Sequence, residues 1–188
     1  MAESSTRDRI LEVSLDLFGS RGVDAVSLDE IARTVGVRKQ TVLYWFASKD
    51  ELVEAVLATV STELVVVIEA AVRAASDDPL DRIDAIVKEV FRSAVRRPAL
   101  LGLVREVNRL GDEPARWLRD WTTPLIERAT LYLGEEMEAG RVRNGDPALV
   151  AALAYSTITG VATEPRALDA FGWTADAAGL RRLRNELR

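Results

Sequence analysis

Apolar residues recur at steps of three and four along almost the whole chain, which is the period of helices with one buried side. No sustained alternation of apolar and polar residues, the pattern typical of a β-strand, interrupts them. Serine, aspartate, proline and glycine residues divide the pattern into segments, as residues that start and stop helices do. The sequence therefore predicts an all-α protein with about nine helices.

Near the N-terminus the pattern predicts two short helices in close succession. The earlier of them begins at a capping pair, Ser27 with Glu30, and stops at Gly36, a residue type that tolerates left-handed geometry. Only Val37 and Arg38 precede the next helical pattern. Two short helices joined by a tight glycine turn predict a helix-turn-helix.

A second capping pair, Ser48 with Glu51, opens a long helix of roughly 25 residues, or about 40 Å. The later helices are predicted to start at Asp78-Pro79, Pro98, Pro114, Asp146-Pro147 and Thr174. Pro124 is expected to kink or restart the helix that contains it. We expect residues 1–50 to form one domain and residues 51–188 a second, helical domain.

The helix after Gly36 carries an apolar arc and a polar, aromatic arc. Val42, Leu43 and Phe46 form the apolar arc, Gln40, Thr41 and Tyr44 the opposite arc with Trp45 at its edge, and Arg38 and Lys39 the tip. Glutamine can pair with adenine and arginine or lysine with guanine, while hydroxyl, indole and ammonium groups reach phosphates. The arc therefore favours DNA recognition; alternatively, Tyr44 and Trp45 pack on the scaffold and the charges are solvated.

The charge distribution adds to this picture, although the whole chain has a net charge of −5. From Ile31 to Lys49 there are four basic residues and no acidic one. Such a window is compatible with a local anion-binding surface.

Composition argues against most enzyme classes. The chain has no Cys and no His, which removes disulfides, thiolates, the commonest metal ligand and the commonest general base. Asp112 with Glu113 is interpreted as a solvated loop. We therefore expect no catalytic residue, no metal, no cofactor and no enzymatic activity. No apolar run long enough for a membrane span and no signal peptide are recognised, which predicts a cytoplasmic protein without a membrane partner.

From Arg9 to Leu57 the chain resembles the DNA-binding domain of the TetR family, in RILEVSLDLFGSRGVDAVSLDEIARTVGV and KQTVLYWFASKDELVEAVL. The positions that carry the family pattern are Phe18, Gly22, Ile31, Ala32, Gly36, Val37, Trp45, Phe46, Ser48, Lys49, Asp50, Glu51 and Leu52. The resemblance covers about a quarter of the chain. Beyond it, only the number and layout of the helices match.

The resemblance implies a role for each candidate DNA-binding residue. Ser27 would contact phosphate. Arg38, Lys39 and Gln40 would face base edges, and Thr41, Tyr44, Trp45 and Lys49 would hold the DNA backbone. The chain departs from the family with Leu43 at the usual Tyr, Trp45 at the common His, and Arg38 and Gln40 at usual small residues. Leu43 lacks the hydroxyl with which that Tyr normally contacts phosphate, and the bulkier helix tip suggests an altered base preference and not lost binding.

The resemblance also implies a ligand-responsive transcriptional regulator, most simply a repressor, that binds a palindromic operator as a homodimer. The interface would lie in Pro147–Pro165 and Asp176–Leu187, where Ala151, Ala152, Ser156 and Gly160 allow close approach, although core packing also explains them. An unidentified hydrophobic effector would bind near Phe91, Val104, Trp117, Trp121 and Tyr155, unless these form ordinary core, and would act through the long helix. The alternative function is a small-molecule-binding dimeric helical protein that has lost operator recognition.

Overall fold

The computed structural model describes residues 5–163, 170 and 172, with the backbone alone at some helical positions. This part of the chain forms eight α-helices and no strand, so the predicted all-α class is confirmed. The helices are α1 (Thr6–Arg21), α2 (Leu28–Val35), α3 (Lys39–Trp45), α4 (Lys49–Ala74), α5 (Pro79–Arg96), α6 (Pro98–Arg109), α7 (Asp112–Glu138) and α8 (Pro147–Thr163). The ninth predicted helix, from Thr174, lies outside the described residues.

The two capping serines start the helices where the sequence predicts, but in both pairs the glutamate carboxylate has a partner other than the amide of the serine. Ser27 Oγ accepts the Glu30 amide at 3.2 Å, whereas the Glu30 carboxylate pairs with Arg21 instead of reaching back to Ser27. Ser48 Oγ accepts the Glu51 amide at 3.1 Å, and the Glu51 carboxylate accepts the amide of Ala47 at 2.7 Å. Each serine therefore satisfies one amide of its helix start, as a capping residue does.

Helix α7 corrects the loop expected at Asp112 and Glu113 and the restart expected at Pro124, while a kink at Pro124 stays a prediction. It begins at Asp112, so Asp112 and Glu113 belong to its first turn and not to a loop. It also continues through Pro124 without restarting. A proline removes one amide and crowds the preceding turn, but the surrounding turns of a 27-residue helix hold it in register.

Contacts between residues divide the chain into two units, and the division falls within α4. The first unit comprises Met1–Ser61 and Arg97–Arg119, so it includes α6 as well as α1 to α3. Its core is continuous, and the largest fully buried side chains are Phe18, Ile10, Ile31, Leu52, Leu57 and Leu103. The predicted domain boundary at residue 50 remains a prediction, because grouping by contacts does not show which segment folds by itself.

Helices α1 and α6 approach each other closely at two glycines. A methyl group added to Gly102 would fall on the carbonyl oxygen of Gly19, and one added to Gly19 would fall on that of Ala99. Only glycine lets two helix backbones come this close. The contact therefore ties α6 to the first unit by shape, at positions where any side chain would separate the helices.

A carboxylate on α6 adds a polar contact to the same junction. Glu106 Oε1 accepts the amide of Val23 at 3.0 Å, in the turn that follows α1. Arg109 binds both Glu106, at 2.8 Å, and Asp24, at 3.0 Å. The hydrogen bond from Arg109 lowers the pKa of Glu106, which keeps that carboxylate charged and able to accept the amide.

The second unit comprises Thr62–Arg96 and Asp120–Arg188. Within it α5 packs against α8. Glu136, on α7, is buried and accepts two hydrogen bonds from Arg141, at 2.5 and 2.9 Å. These bonds lower the pKa of Glu136, so the buried carboxylate is held in its charged, paired form.

Among the described helices, α4 alone is long and apolar enough to cross a membrane by length and composition. Its first half supplies core residues of the first unit, including Leu52, Val56 and Val60. It begins with three charged residues, Lys49 to Glu51. The first part of α4 therefore belongs to the core of the first unit, while its apolar window as a whole is 17% buried, and one such helix is weak evidence for a membrane span.

The close contact between α1 and α6 predicts a large cost for one methyl group. Gly102→Ala should lower the free energy of unfolding by about 1–3 kcal/mol, because overpacking outweighs the better helix propensity of alanine. The matched control is Gly134→Ala in α7, where an added methyl would have only Pro147 Cγ near it, at 3.9 Å. Urea unfolding should show this control unchanged or up to about 1 kcal/mol more stable. Equal stability of the two variants would contradict the contact.

Candidate nucleic-acid interface

The turn between α2 and α3 has the geometry of a helix-turn-helix. Gly36 adopts the left-handed conformation, with φ 82° and ψ 33°. Its amide and that of Val37 both donate to the carbonyl oxygen of Ala32, at 3.0 and 2.9 Å. The chain therefore leaves α2 sharply, and Arg38 is already the N-cap residue of α3. The stop predicted at Gly36 lies where the sequence places it.

Two side chains anchor α3. Val42 and Phe46, one turn apart, are buried in the core of the first unit. Leu43 is 38% exposed, so its assignment to the inner arc is wrong. The reason is the helix period: Leu43 lies about 100° around the helix from Val42, whereas Phe46 lies about 40° from it, so Leu43 falls at the edge of the stripe that these two define.

The aromatic residues of α3 face outward to different degrees. Tyr44 is 80% exposed, which excludes the alternative that it packs on the scaffold. Trp45 is 40% exposed and meets the Tyr44 ring edge-on, with ring centroids 5.3 Å apart. The two rings therefore form one aromatic edge with a phenol hydroxyl in solvent.

The predicted base-contacting residues lie together at the start of α3. Arg38, Lys39 and Gln40 are all exposed. The Lys39 ammonium lies 2.6 Å from Asp29 Oδ2 on α2, so it is already paired in this structure. Arg38 makes no capping hydrogen bond with its side chain. The tip of α3 thus presents one guanidinium, one amide and one paired ammonium.

The predicted backbone-contacting residues flank this tip. Ser27 is exposed at the start of α2, and its hydroxyl can still donate while it accepts the Glu30 amide. Thr41 and Lys49 are half-buried, and Tyr44 and Trp45 complete the set. All eight candidates belong to the first unit, on α2, α3 or the start of α4.

Two residues next to this surface are missing from the sequence-based set. Asp29 pairs with Lys39 from ten positions away, and the Arg7 guanidinium lies 5.5 Å from the centroid of the Phe46 ring. The spacing of residues along the sequence does not reveal either contact, because both depend on how the helices of the first unit pack. The acid-free window from Ile31 to Lys49 is therefore not acid-free in space.

The candidate effector residues are only partly described. The side chains of Phe91, Trp117 and Trp121 lie outside the described part of the structure. Val104 is half-buried on α6 in the first unit, and Tyr155 is 39% exposed on α8 in the second. Partial burial raises the pKa of the Tyr155 phenol. The effector pocket remains a prediction.

Residues 10–56 match the family model described as "Bacterial regulatory proteins, tetR family". This segment runs from α1 into α4 and contains the whole helix-turn-helix. The match therefore coincides with the elements that hold and present α3.

Curated relatives carry regulator names. The chain is 32% identical over 91 residues to the HTH-type transcriptional regulator BetI of Rhizobium meliloti, covering 48% of this chain and 44% of BetI. It is 28% identical over 140 residues to the regulator TcmR of Streptomyces glaucescens, covering 74% of this chain and 56% of TcmR. The chain thus spans about half the length of these relatives.

Solved structures share the fold over nearly the whole chain. The fatty acid degradation regulator FadR from Bacillus halodurans has a TM-score of 0.82 at 16% identity, covering 98% of this chain and 95% of that one. FadR from Bacillus subtilis in complex with stearoyl-CoA has a TM-score of 0.81 at 15% identity, covering 95% and 93%. AibR, in complex with isovaleryl coenzyme A and operator DNA, has a TM-score of 0.72 at 17% identity, covering 84% and 86%.

The family match falls on the helix-turn-helix, the curated relatives are named as transcriptional regulators and not as enzymes, and the fold is that of solved TetR-family structures. The helix-turn-helix segment, residues 10–56, therefore matches the TetR family of bacterial regulatory proteins, and the chain shares the fold of these solved regulators.

Proposed function

We propose that the protein is a ligand-responsive transcriptional repressor of the cytoplasm that binds a palindromic operator as a homodimer and releases it on binding a small hydrophobic effector. The observation that carries this function is the two-sided character of α3. Val42 and Phe46 fix the helix in the core, while Arg38, Gln40 and Tyr44 project into solvent. A fixed helix with an exposed polar face is what insertion into a major groove requires.

The exposed residues divide by the chemistry of DNA. Arg38, Lys39 and Gln40 at the start of α3 have the donors and acceptors that read guanine and adenine edges. The hydroxyl, indole and ammonium groups of the flanking residues suit phosphate oxygens. Those flanking residues are Ser27, Thr41, Tyr44, Trp45 and Lys49. Leu43 cannot make the phosphate contact of the Tyr that is usual there, but the exposed Tyr44 hydroxyl beside it can.

The alternative, a helix-turn-helix that no longer reads DNA, has the acidic net charge and Leu43 in its favour. Tyr44, 80% exposed, and the partly exposed Trp45 form an aromatic edge beside the polar tip of α3. This edge favours operator binding, because its hydroxyl and indole groups can reach phosphate oxygens.

Helix α8 supports the homodimer. Leu149 and Leu153, one turn apart, are 57% and 60% exposed, and the small Ala152, Ser156 and Gly160 are exposed beside this stripe. An apolar stripe flanked by small residues suits close approach of a second copy. Ala151, which the sequence places among the interface residues, is buried inside its own chain and belongs to the core. The other predicted segment, Asp176–Leu187, lies outside the described residues.

A two-fold dimer explains how an effector could release DNA. Two recognition helices must lie about 34 Å apart to enter successive major grooves. A ligand that prefers a different spacing lowers operator affinity by its differential affinity for the two states. Because two solved neighbours are described as complexes with stearoyl-CoA and isovaleryl coenzyme A, an acyl-CoA thioester is our proposal for the effector class.

Two substitutions in the first unit should separate the roles assigned to its residues. Lys49→Ala should weaken binding to all duplexes about equally and reduce the salt slope by about one, because it removes a phosphate contact. Gln40→Ala should cost about 1–3 kcal/mol on the preferred operator and relax the preference at one base pair. Selection from a random duplex library, followed by titrations at several salt concentrations, measures both. If both variants change sequence preference alike, the roles are assigned wrongly.

The proposed dimer predicts that a charge on α8 separates the copies. Leu153→Arg should raise the dimer dissociation constant at least about 100-fold, because it places an unpaired charge in an apolar interface. The control is Leu131→Arg on α7, a leucine that is 69% exposed against 60% for Leu153, and this variant should remain dimeric. Light scattering after size exclusion gives the mass of each variant. A dimeric Leu153→Arg protein would remove α8 from the interface.

The effector class is tested on the assembled complex. Stearoyl-CoA and isovaleryl-CoA, titrated into protein bound to its selected operator, should lower operator affinity about 5- to 150-fold, while free coenzyme A should not. An acyl-CoA that binds in calorimetry but leaves operator affinity unchanged would refute this coupling for that ligand.

A further inference from the structure

The ion pair between α2 and α3 brings an acid to the surface proposed to meet DNA. Asp29 lies in the first turn of α2, and Lys39 is the first residue of α3. The Lys39 Nζ and Asp29 Oδ2 atoms are 2.6 Å apart, and both side chains are well exposed. A negative charge on this surface opposes the attraction to phosphates that a DNA-binding surface uses.

The ion pair itself contributes little to stability, and the position of Asp29 in the first turn of α2 adds about 0.3–1 kcal/mol through the helix dipole with or without Lys39. Exposed ion pairs contribute about 0–1 kcal/mol to folding. The two helices are already joined by the left-handed turn at Gly36, and they share a core through the fully buried Ile31 and Val42. The pair therefore adds little to holding α2 against α3.

The geometry has a direct electrostatic consequence. While the pair is closed, Lys39 and Asp29 together add no net charge near the DNA. The electrostatic attraction between Lys39 and the phosphates of an arbitrary duplex is therefore small. An ammonium has three donors, and one bond to Asp29 leaves two. Guanine offers two acceptors, O6 and N7, on one edge in the major groove.

We propose that Asp29 is a specificity-determining residue, which holds the Lys39 ammonium so that it binds a guanine edge and is withheld from phosphates. This proposal rests on the operator-binding function proposed above. Asp29 acts through Lys39 and need not touch DNA itself. It lowers affinity for arbitrary duplex more than affinity for the operator, and so increases the ratio between them.

Asp29→Asn tests this, because it removes the charge and keeps the shape. Affinity for a scrambled duplex should rise roughly three- to tenfold and its salt slope should steepen by about one, since Lys39 becomes free to neutralise a phosphate. Operator affinity should rise less or fall, so the ratio of operator affinity to scrambled-duplex affinity should drop at least about threefold. Sequences selected from a random duplex library should show a weaker preference for guanine at one position. Asp29→Ser serves as a second variant if the asparagine protein does not fold.

Two controls distinguish this from a general charge effect. Asp16→Asn, on the exposed side of α1, removes the same charge and should leave the ratio unchanged. In a Lys39→Gln background, Asp29→Asn should no longer steepen the salt slope, because the released ammonium is gone.

The outcomes distinguish a failure of the role proposed for Asp29 from a failure of the proposed operator-binding function. If Asp29→Asn strengthens operator and scrambled duplex equally, or changes neither, Asp29 has no role in specificity, although the regulator function stands. If the unaltered protein ignores duplexes of every sequence at low salt, the proposed function fails, and the role of Asp29 fails with it.

Discussion

The anchoring of α3 by two side chains is the constraint on which the candidate site depends. A helix of seven residues is far too short to be stable alone in water. Burial of Val42 and Phe46 in the first unit supplies what the helix lacks, and it also sets its rotation. The outward direction of Arg38, Gln40 and Tyr44 follows from that rotation. The direction in which the candidate DNA-contacting side chains point is therefore set by the core beneath them.

The same core explains why the first unit reaches beyond the helix-turn-helix. Leu103 and Val107 of α6 are fully buried in it, and the glycine contact with α1 brings the two backbones together. Glu106 then satisfies the Val23 amide in the turn before α2. A helix from the middle of the chain thus supports the turn that leads into the helix-turn-helix.

The sequence predicts local features well and non-local ones poorly, for physical reasons. Helix starts at Ser27 and Ser48 and the stop at Gly36 depend on bonds within four residues, so spacing reveals them. The contact between Gly19 and Gly102 joins distant residues that look like ordinary helix glycines. The sequence does not reveal the exposure of Leu43, because an apolar residue beside Val42 looks buried until the width of the buried stripe is known.

The pairing of Lys39 with Asp29 shows why charge counted along a sequence misjudges a binding surface. Counted in order, the basic window around α3 stands out against an acidic chain. In space, Asp29 cancels one of its cations, so less long-range attraction remains than the count suggests. A regulator that must find one site among many arbitrary ones gains from such cancellation, because the discarded attraction is the part that every duplex shares. An acidic chain with a partly neutralised α3 is therefore consistent with selective operator binding, and its net charge does not indicate that operator binding has been lost.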